Sequence, residues 1–151
     1  MKLSEILDPS CVKVPLAAKA KEAAIEELVD LLAQSGRIGD RDALLAAVSA
    51  REQVRSTGIG RGLAVPHGKA AGCDRLVMAI GKPAEPIDFA SIDGQPVSVI
   101  VLLASPPEQS GPHVQALARI SRLMLMEPFR QAILAAKTAK ELYTVIVEHD
   151  R

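Results

Sequence analysis

Hydrophobic positions recur along this chain first at helical and then at strand spacing, and each change of period marks an element. Ile25, Leu28, Val29 and Leu32 fall at i, i+3, i+4 and i+7, the apolar stripe of a helix that Ser35-Gly36 can end. Asp40 is placed to cap a second helix in which Leu44, Leu45 and Val48 face the core, with Arg51 near its end. The chain then becomes glycine-rich, Ser56-Thr57-Gly58-Ile59-Gly60-Arg61-Gly62, which predicts a tightly turning backbone. Leu63-Ala64-Val65 reads as a short strand, followed directly by Pro66 and His67. Residues 76–80 and 97–103 are apolar runs of strand length, separated by an Asp93-Gly94 turn signal. The second run does not alternate, so it predicts a central strand buried on both faces. Residues 105–112 read as a loop, and His113 opens a third helix whose Leu117, Ile120 and Met124 turn inward. Glu127-Pro128 breaks the chain before a shorter helix through Ile133, and a last helix carries Leu142, Val145 and Ile146. This order predicts an α/β fold, a small mixed β-sheet flanked by helices on both faces, in one domain spanning 1–151. No internal repeat or linker interrupts it.

Composition narrows the chemistry. Of 151 residues 48% are hydrophobic, yet there is no Trp, one Tyr and two Phe, so the core is aliphatic and stacking on bases is not expected. Eighteen basic residues balance eighteen acidic ones without a block of either sign, which argues against nucleic-acid binding and membrane-surface attachment. The N-terminus lacks the apolar stretch of a signal peptide, and no segment is long enough to span a bilayer. Two cysteines, Cys11 and Cys73, form no C-x-x-C pair, so a cytoplasmic location without direct membrane insertion is expected.

His67 and His113 are the candidate reactive side chains. A histidine where a strand meets a turn reads equally well as structural, but its neighbours favour chemistry. Pro66 stiffens the backbone and biases Val65 toward an extended conformation, while Gly68 takes away the side chain that would crowd an approaching partner. A neutral imidazole with one nitrogen held by a hydrogen bond offers the other as a nucleophile, which suits reversible phosphoryl transfer. Arg51 is the natural group to neutralise phosphoryl oxygens, since its planar fork binds two at once, although an Arg after a helix is more often a solvated surface residue. Thr57 and the N–H groups near Gly58 and Gly60 can add donors, with the plain alternative of a tight loop. His113 reads either as a packed histidine or as a donor to a phosphoryl oxygen at a helix start. His149, near the C-terminus, is expected to be exposed and idle. A metal hydrolase lacks clustered ligands, and Cys73 sits in Gly72-Cys73-Asp74 without an evident activating partner.

The run Gly60-Arg61-Gly62-Leu63-Ala64-Val65-Pro66-His67-Gly68, with Glu52 and Ile59 ahead of it, resembles the IIA domains of the bacterial phosphotransferase system, the fructose, mannitol and nitrogen-regulatory class. The resemblance continues through Pro86-Ile87-Asp88-Phe89, Asp93-Gly94-Gln95-Pro96-Val97 and His113 to Glu141-Leu142-Tyr143. Departures are Ser98, where many relatives have an acid, Val114 in place of Leu, and the stiff Pro106-Pro107 pair. The resemblance implies that His67 takes a phosphoryl group from the carrier protein HPr or its nitrogen-branch analogue, with Arg51 and His113 beside it in the cleft; Thr57, Gly58 and Gly68 are the candidate phosphate-binding residues. It implies neither metal nor cofactor. Two roles are open: a protein-histidine phosphotransferase that regulates target proteins according to its phosphorylation state, as freestanding nitrogen-regulatory IIA proteins do, or a sugar-specific component relaying phosphate to a IIB domain.

Overall fold

The computed structural model describes residues 1–150. Among these, strand β1 (Leu7–Leu16) is followed by helices α1 (Lys21–Gln34) and α2 (Arg41–Val54), then by three short strands, β2 (Gly58–Gly60), β3 (Leu63–Ala64) and β4 (His67–Lys69). Two longer strands, β5 (Val77–Pro83) and β6 (Val99–Ser105), precede helices α3 (Ser110–Met124), α4 (Glu127–Ala135) and α5 (Ala139–His149). The strands form one mixed sheet in the order β1-β5-β6-β3-β2, with β4 also pairing β6. The expected architecture is therefore present, and the continuous apolar run forms the central strand, buried at every position.

The helix stripes behave as their spacing predicts. Ala24, Ile25, Leu28, Val29 and Leu32 of α1 are buried, and Gly36 leaves the helix at φ +75°, a left-handed conformation that glycine adopts without a Cβ penalty. Asp40 caps α2 by accepting a hydrogen bond from the Ala43 N–H at 3.0 Å. Three local features differ from the sequence reading. Helix α3 begins at Ser110, so His113 lies inside its first turn. His149 is half-buried, its ring edge-on to Phe129 at 5.4 Å and its Nδ1 donating to the Val145 carbonyl at 2.8 Å. The strand β1 carries no alternating signal, and its pairing with β5 breaks register twice, which is why no period revealed it.

The third short strand matters most for the site. Leu63 lies opposite Val99, Ala64 opposite Ile100, and His67 opposite Leu103, all parallel to β6. The same four-residue step separates these partners on both strands, so residues 63–69 run beside β6 in one register through Val65 and Pro66. Pro66 has no N–H to give, and its carbonyl accepts from Leu103 N–H at 3.0 Å. His67 is thus part of the sheet. On β6 the side chains of Val99 and Val101 face Leu63, Ile120 and Met124 in the layer formed with α3, α4 and α5. Gly68, of opposite parity to His67, faces α2: a Cβ there would come within 2.9 Å of Val48 Cγ2 and 3.0 Å of Val48 N. Among the described residues no helix is long and apolar enough to cross a membrane.

Lys82 ties the sheet to the C-terminal helices. Its Nζ donates to the carbonyls of Ile133 at 2.7 Å, Leu134 at 3.0 Å and Ala136 at 2.7 Å, at the C-terminal end of α4. Burial lowers its pKa, opposed by Glu141. Lys82→Met keeps the apolar stem and removes the charge-assisted bonds, so urea denaturation should register a loss of about 1–3 kcal/mol.

Candidate functional site

His67 opens β4, half-buried, with Nδ1 2.9 Å from the carbonyl oxygen of Val65. A carbonyl can only accept, so Nδ1 carries the proton and Nε2 presents its lone pair. The position of the ring proton is thereby set by a backbone group two residues upstream. His113 comes from α3, whose inward positions His113, Ala116 and Ile120 are all buried. Its ring centroid lies 5.1 Å from that of His67 at an interplanar angle of 70°. Its Nδ1 is 2.9 Å from the Ser105 hydroxyl at the end of β6, while its buried Nε2 has no hydrogen-bond partner among the described residues. Burial foremost, then the positive charge of a protonated His67 and of Lys69, lowers the His113 pKa from 6.5 to about 4. At neutral pH this imidazole is uncharged.

The other sequence-derived candidates are placed differently. Arg51 stands in the last turn of α2, one turn beyond Ala47 and Val48, the residues against which Gly68 packs. Its guanidinium donates to the Arg55 carbonyl at 2.8 Å. The structure thus brings the two histidines together and leaves the Arg51 head group on the helix end. Thr57 is buried with both donors engaged: its N–H reaches Glu52 Oε2 at 2.9 Å and its hydroxyl reaches Glu52 Oε1 at 2.5 Å. Gly58 N–H is taken by Ser56 Oγ at 3.0 Å, and a Cβ on Gly58 would stand 2.2 Å from Ser91 Oγ. These donors are engaged within the loop itself. Gly68 makes room for α2.

Sequence reasoning gave no structural part to three contributors. Glu52, 7% exposed, is the hub of the loop, bonding Thr57 and pairing with Lys21 Nζ at 2.7 Å. Lys69, exposed on β4, places positive charge near the imidazole pair. Ser105 was read as the start of a loop, and nothing local in the sequence links it to His113 eight residues away. Cys73 is buried, and burial followed by Asp74 raises its thiol pKa, which disfavours the thiolate a nucleophile requires. Among the described residues no group of three His, Cys, Asp or Glu side chains is arranged to hold a metal ion.

Residues 5–149 match the family described as "Phosphoenolpyruvate-dependent sugar phosphotransferase system, EIIA 2". The chain belongs to this family. It is 34% identical over 151 residues to the fructose-specific EIIABC component of Bacillus subtilis, a protein of which it spans only 24%. It is 31% identical over 146 residues to a nitrogen regulatory protein of Bradyrhizobium diazoefficiens, covering 97% of this chain and 95% of that protein. The crystal structure of nitrogen regulatory protein IIA-Ntr from Neisseria meningitidis superposes with a TM-score of 0.87 at 28% identity, covering 95% of this chain and 98% of that one. The EIIA 2 chain described here thus has both nitrogen-regulatory and sugar-specific relatives.

The low pKa of His113 has a signed consequence for stability. Between about pH 6.5 and about pH 4 the unfolded chain binds a proton that the folded protein excludes, so stability falls as the pH drops through that window. Above it the group contributes nothing. His113→Gln should flatten this part of the stability profile, measured by urea unfolding at a series of pH values.

Proposed function

We propose that this EIIA 2 chain is a phosphohistidine carrier that accepts a phosphoryl group on Nε2 of His67 from HPr or its nitrogen-branch analogue. The observation that carries the reading is the Val65 carbonyl at 2.9 Å from Nδ1, which leaves Nε2 as the free nucleophile beside a second, neutral imidazole. The lone pair of Nε2 attacks phosphorus in line, the P–N bond of the donor breaks, and its electron pair returns to the donor imidazole. The His67 ring then bears both Nε2–P and Nδ1–H, and the Val65 carbonyl steadies the resulting positive charge. His113 donates to a phosphoryl oxygen. Arg51 supports the transfer by exchanging its single bond to the Arg55 carbonyl for the phosphoryl oxygens, a movement that asks little of a half-exposed side chain.

The carrier acts as a phosphorylation-dependent regulator of partner proteins, a reading supported by nitrogen-regulatory relatives that align over almost their whole length. About −1.5 to −2 charges added at His67 change the docking surface enough to switch such contacts. The fructose-specific relative supports a second reading, relay of the phosphoryl group to a IIB domain during sugar uptake. A pull-down with wild type, His67→Ala and His67→Asp separates the two. Phosphorylation-sensitive capture of a non-transport protein favours the regulator, and transfer to a fructose-type or mannitol-type IIB domain favours the relay.

Incubation with phosphoenolpyruvate, the general phosphotransferase enzyme and HPr, read by intact-mass spectrometry, should add one acid-labile phosphoryl group to the wild type and none to His67→Ala. Labelling of His67→Ala would refute the assignment. Arg51→Ala should slow uptake by about 2–4 kcal/mol in the barrier, followed by rapid quench.

A further inference from the structure

Ser105 ends the central strand at 0% exposure, and its hydroxyl has one hydrogen-bond partner among the described residues, His113 Nδ1 at 2.9 Å. Two arrangements satisfy that distance. If Nδ1–H donates to the hydroxyl, two buried groups are left without a partner, the Ser105 proton and the Nε2 lone pair of His113. If the hydroxyl donates to Nδ1, every polar atom of Ser105 is used, the imidazole proton must sit on Nε2, and that N–H is the single group left unpaired. The second arrangement is favoured. It makes the unpartnered, buried Nε2 of His113 an N–H donor, on a ring 5.1 Å from that of His67.

We infer that Ser105 is a positioning residue that holds His113 in its Nε2–H tautomer, so that a hydrogen-bond donor meets the phosphoryl group carried on His67 Nε2. This rests on the carrier reading of His67. The two imidazoles then hold opposite tautomers, each set by an oxygen on its Nδ1. The Val65 carbonyl accepts and leaves a lone pair on Nε2 of His67, whereas the Ser105 hydroxyl donates and leaves a proton on Nε2 of His113. With the opposite tautomer, His113 would turn a lone pair toward phosphoryl oxygens and repel them. Its lowered pKa removes the escape of carrying both protons in the unphosphorylated protein at neutral pH. Both oxygens come from chain running side by side, since β4 and the end of β6 are paired, Lys69 opposite Ser105.

The test uses the full chain with 15N-labelled histidine, as wild type, Ser105→Ala and Ser105→Thr. Long-range proton–nitrogen spectra at neutral pH should place the wild-type His113 proton on Nε2 and that of His67 on Nδ1. In Ser105→Ala the His113 preference should be lost while His67 keeps its own. Phosphoryl uptake from phosphorylated HPr should fall about tenfold, and Ser105→Thr should restore both readouts. An unchanged His113 tautomer or an unchanged rate in Ser105→Ala overturns the inference. A wild-type His113 protonated on Nδ1 overturns it even if the variants fail to fold. Should the wild type take up no phosphoryl group while HPr is labelled, the carrier reading fails, and the spectra still decide whether Ser105 sets the tautomer.

Discussion

Leu63 lies opposite Val99 and His67 opposite Leu103, and this unbroken parallel register along the central strand sets both faces of the site. Side chains alternate across a strand, so a slip of one residue would turn His67 toward α2 and Gly68 toward α3. Gly68 is what permits the observed register, because any Cβ there would press on the backbone of α2 at Val48. The same parity on β6 puts Ser105 on the face that also holds Val99 and Val101, toward α3. One register thus brings His67 of β4 to Ser105 of β6 and His113 of α3.

The electrostatic character of the pair follows from that packing. Burying His113 removes the water that would stabilise its charged form, and the positive charge of Lys69 and of a protonated His67 adds to the effect. A neutral imidazole is thereby kept beside His67. Arrival of a phosphoryl dianion would reverse the sign of the local field and draw positive charge toward it from Arg51 and Lys69.

Glu52 shows how the loop before the site is kept in shape without being part of the chemistry. A carboxylate at 7% exposure would be costly alone, but it receives Lys21 from α1 and two donors from Thr57, so its oxygens are satisfied within the turn. That bonding anchors the chain as it leaves α2, and the Val65 N–H then reaches the Thr57 carbonyl at 3.0 Å. Val65 is the residue whose carbonyl fixes the His67 tautomer. Loop order and imidazole chemistry are connected by two short segments of backbone.

The amino-acid sequence by itself determined the helices, the buried central strand, the fold class and the histidine within Val65-Pro66-His67-Gly68, because each is written in local spacing or in one contiguous run. It also located His113 on the inward stripe of its helix, although the helix begins at Ser110. Other features depend on distances between segments that no local pattern encodes. Only the tertiary structure decided that His67 sits within the sheet, that Gly68 serves the packing of α2, and that Thr57 and Gly58 spend their donors on the loop. It also decided that Ser105 meets His113. A tautomer or a spent donor is a property of a pair of atoms, and even pairs only two to eight residues apart, such as Val65 with His67 and Ser105 with His113, reach hydrogen-bonding distance only once the folded backbone sets their directions.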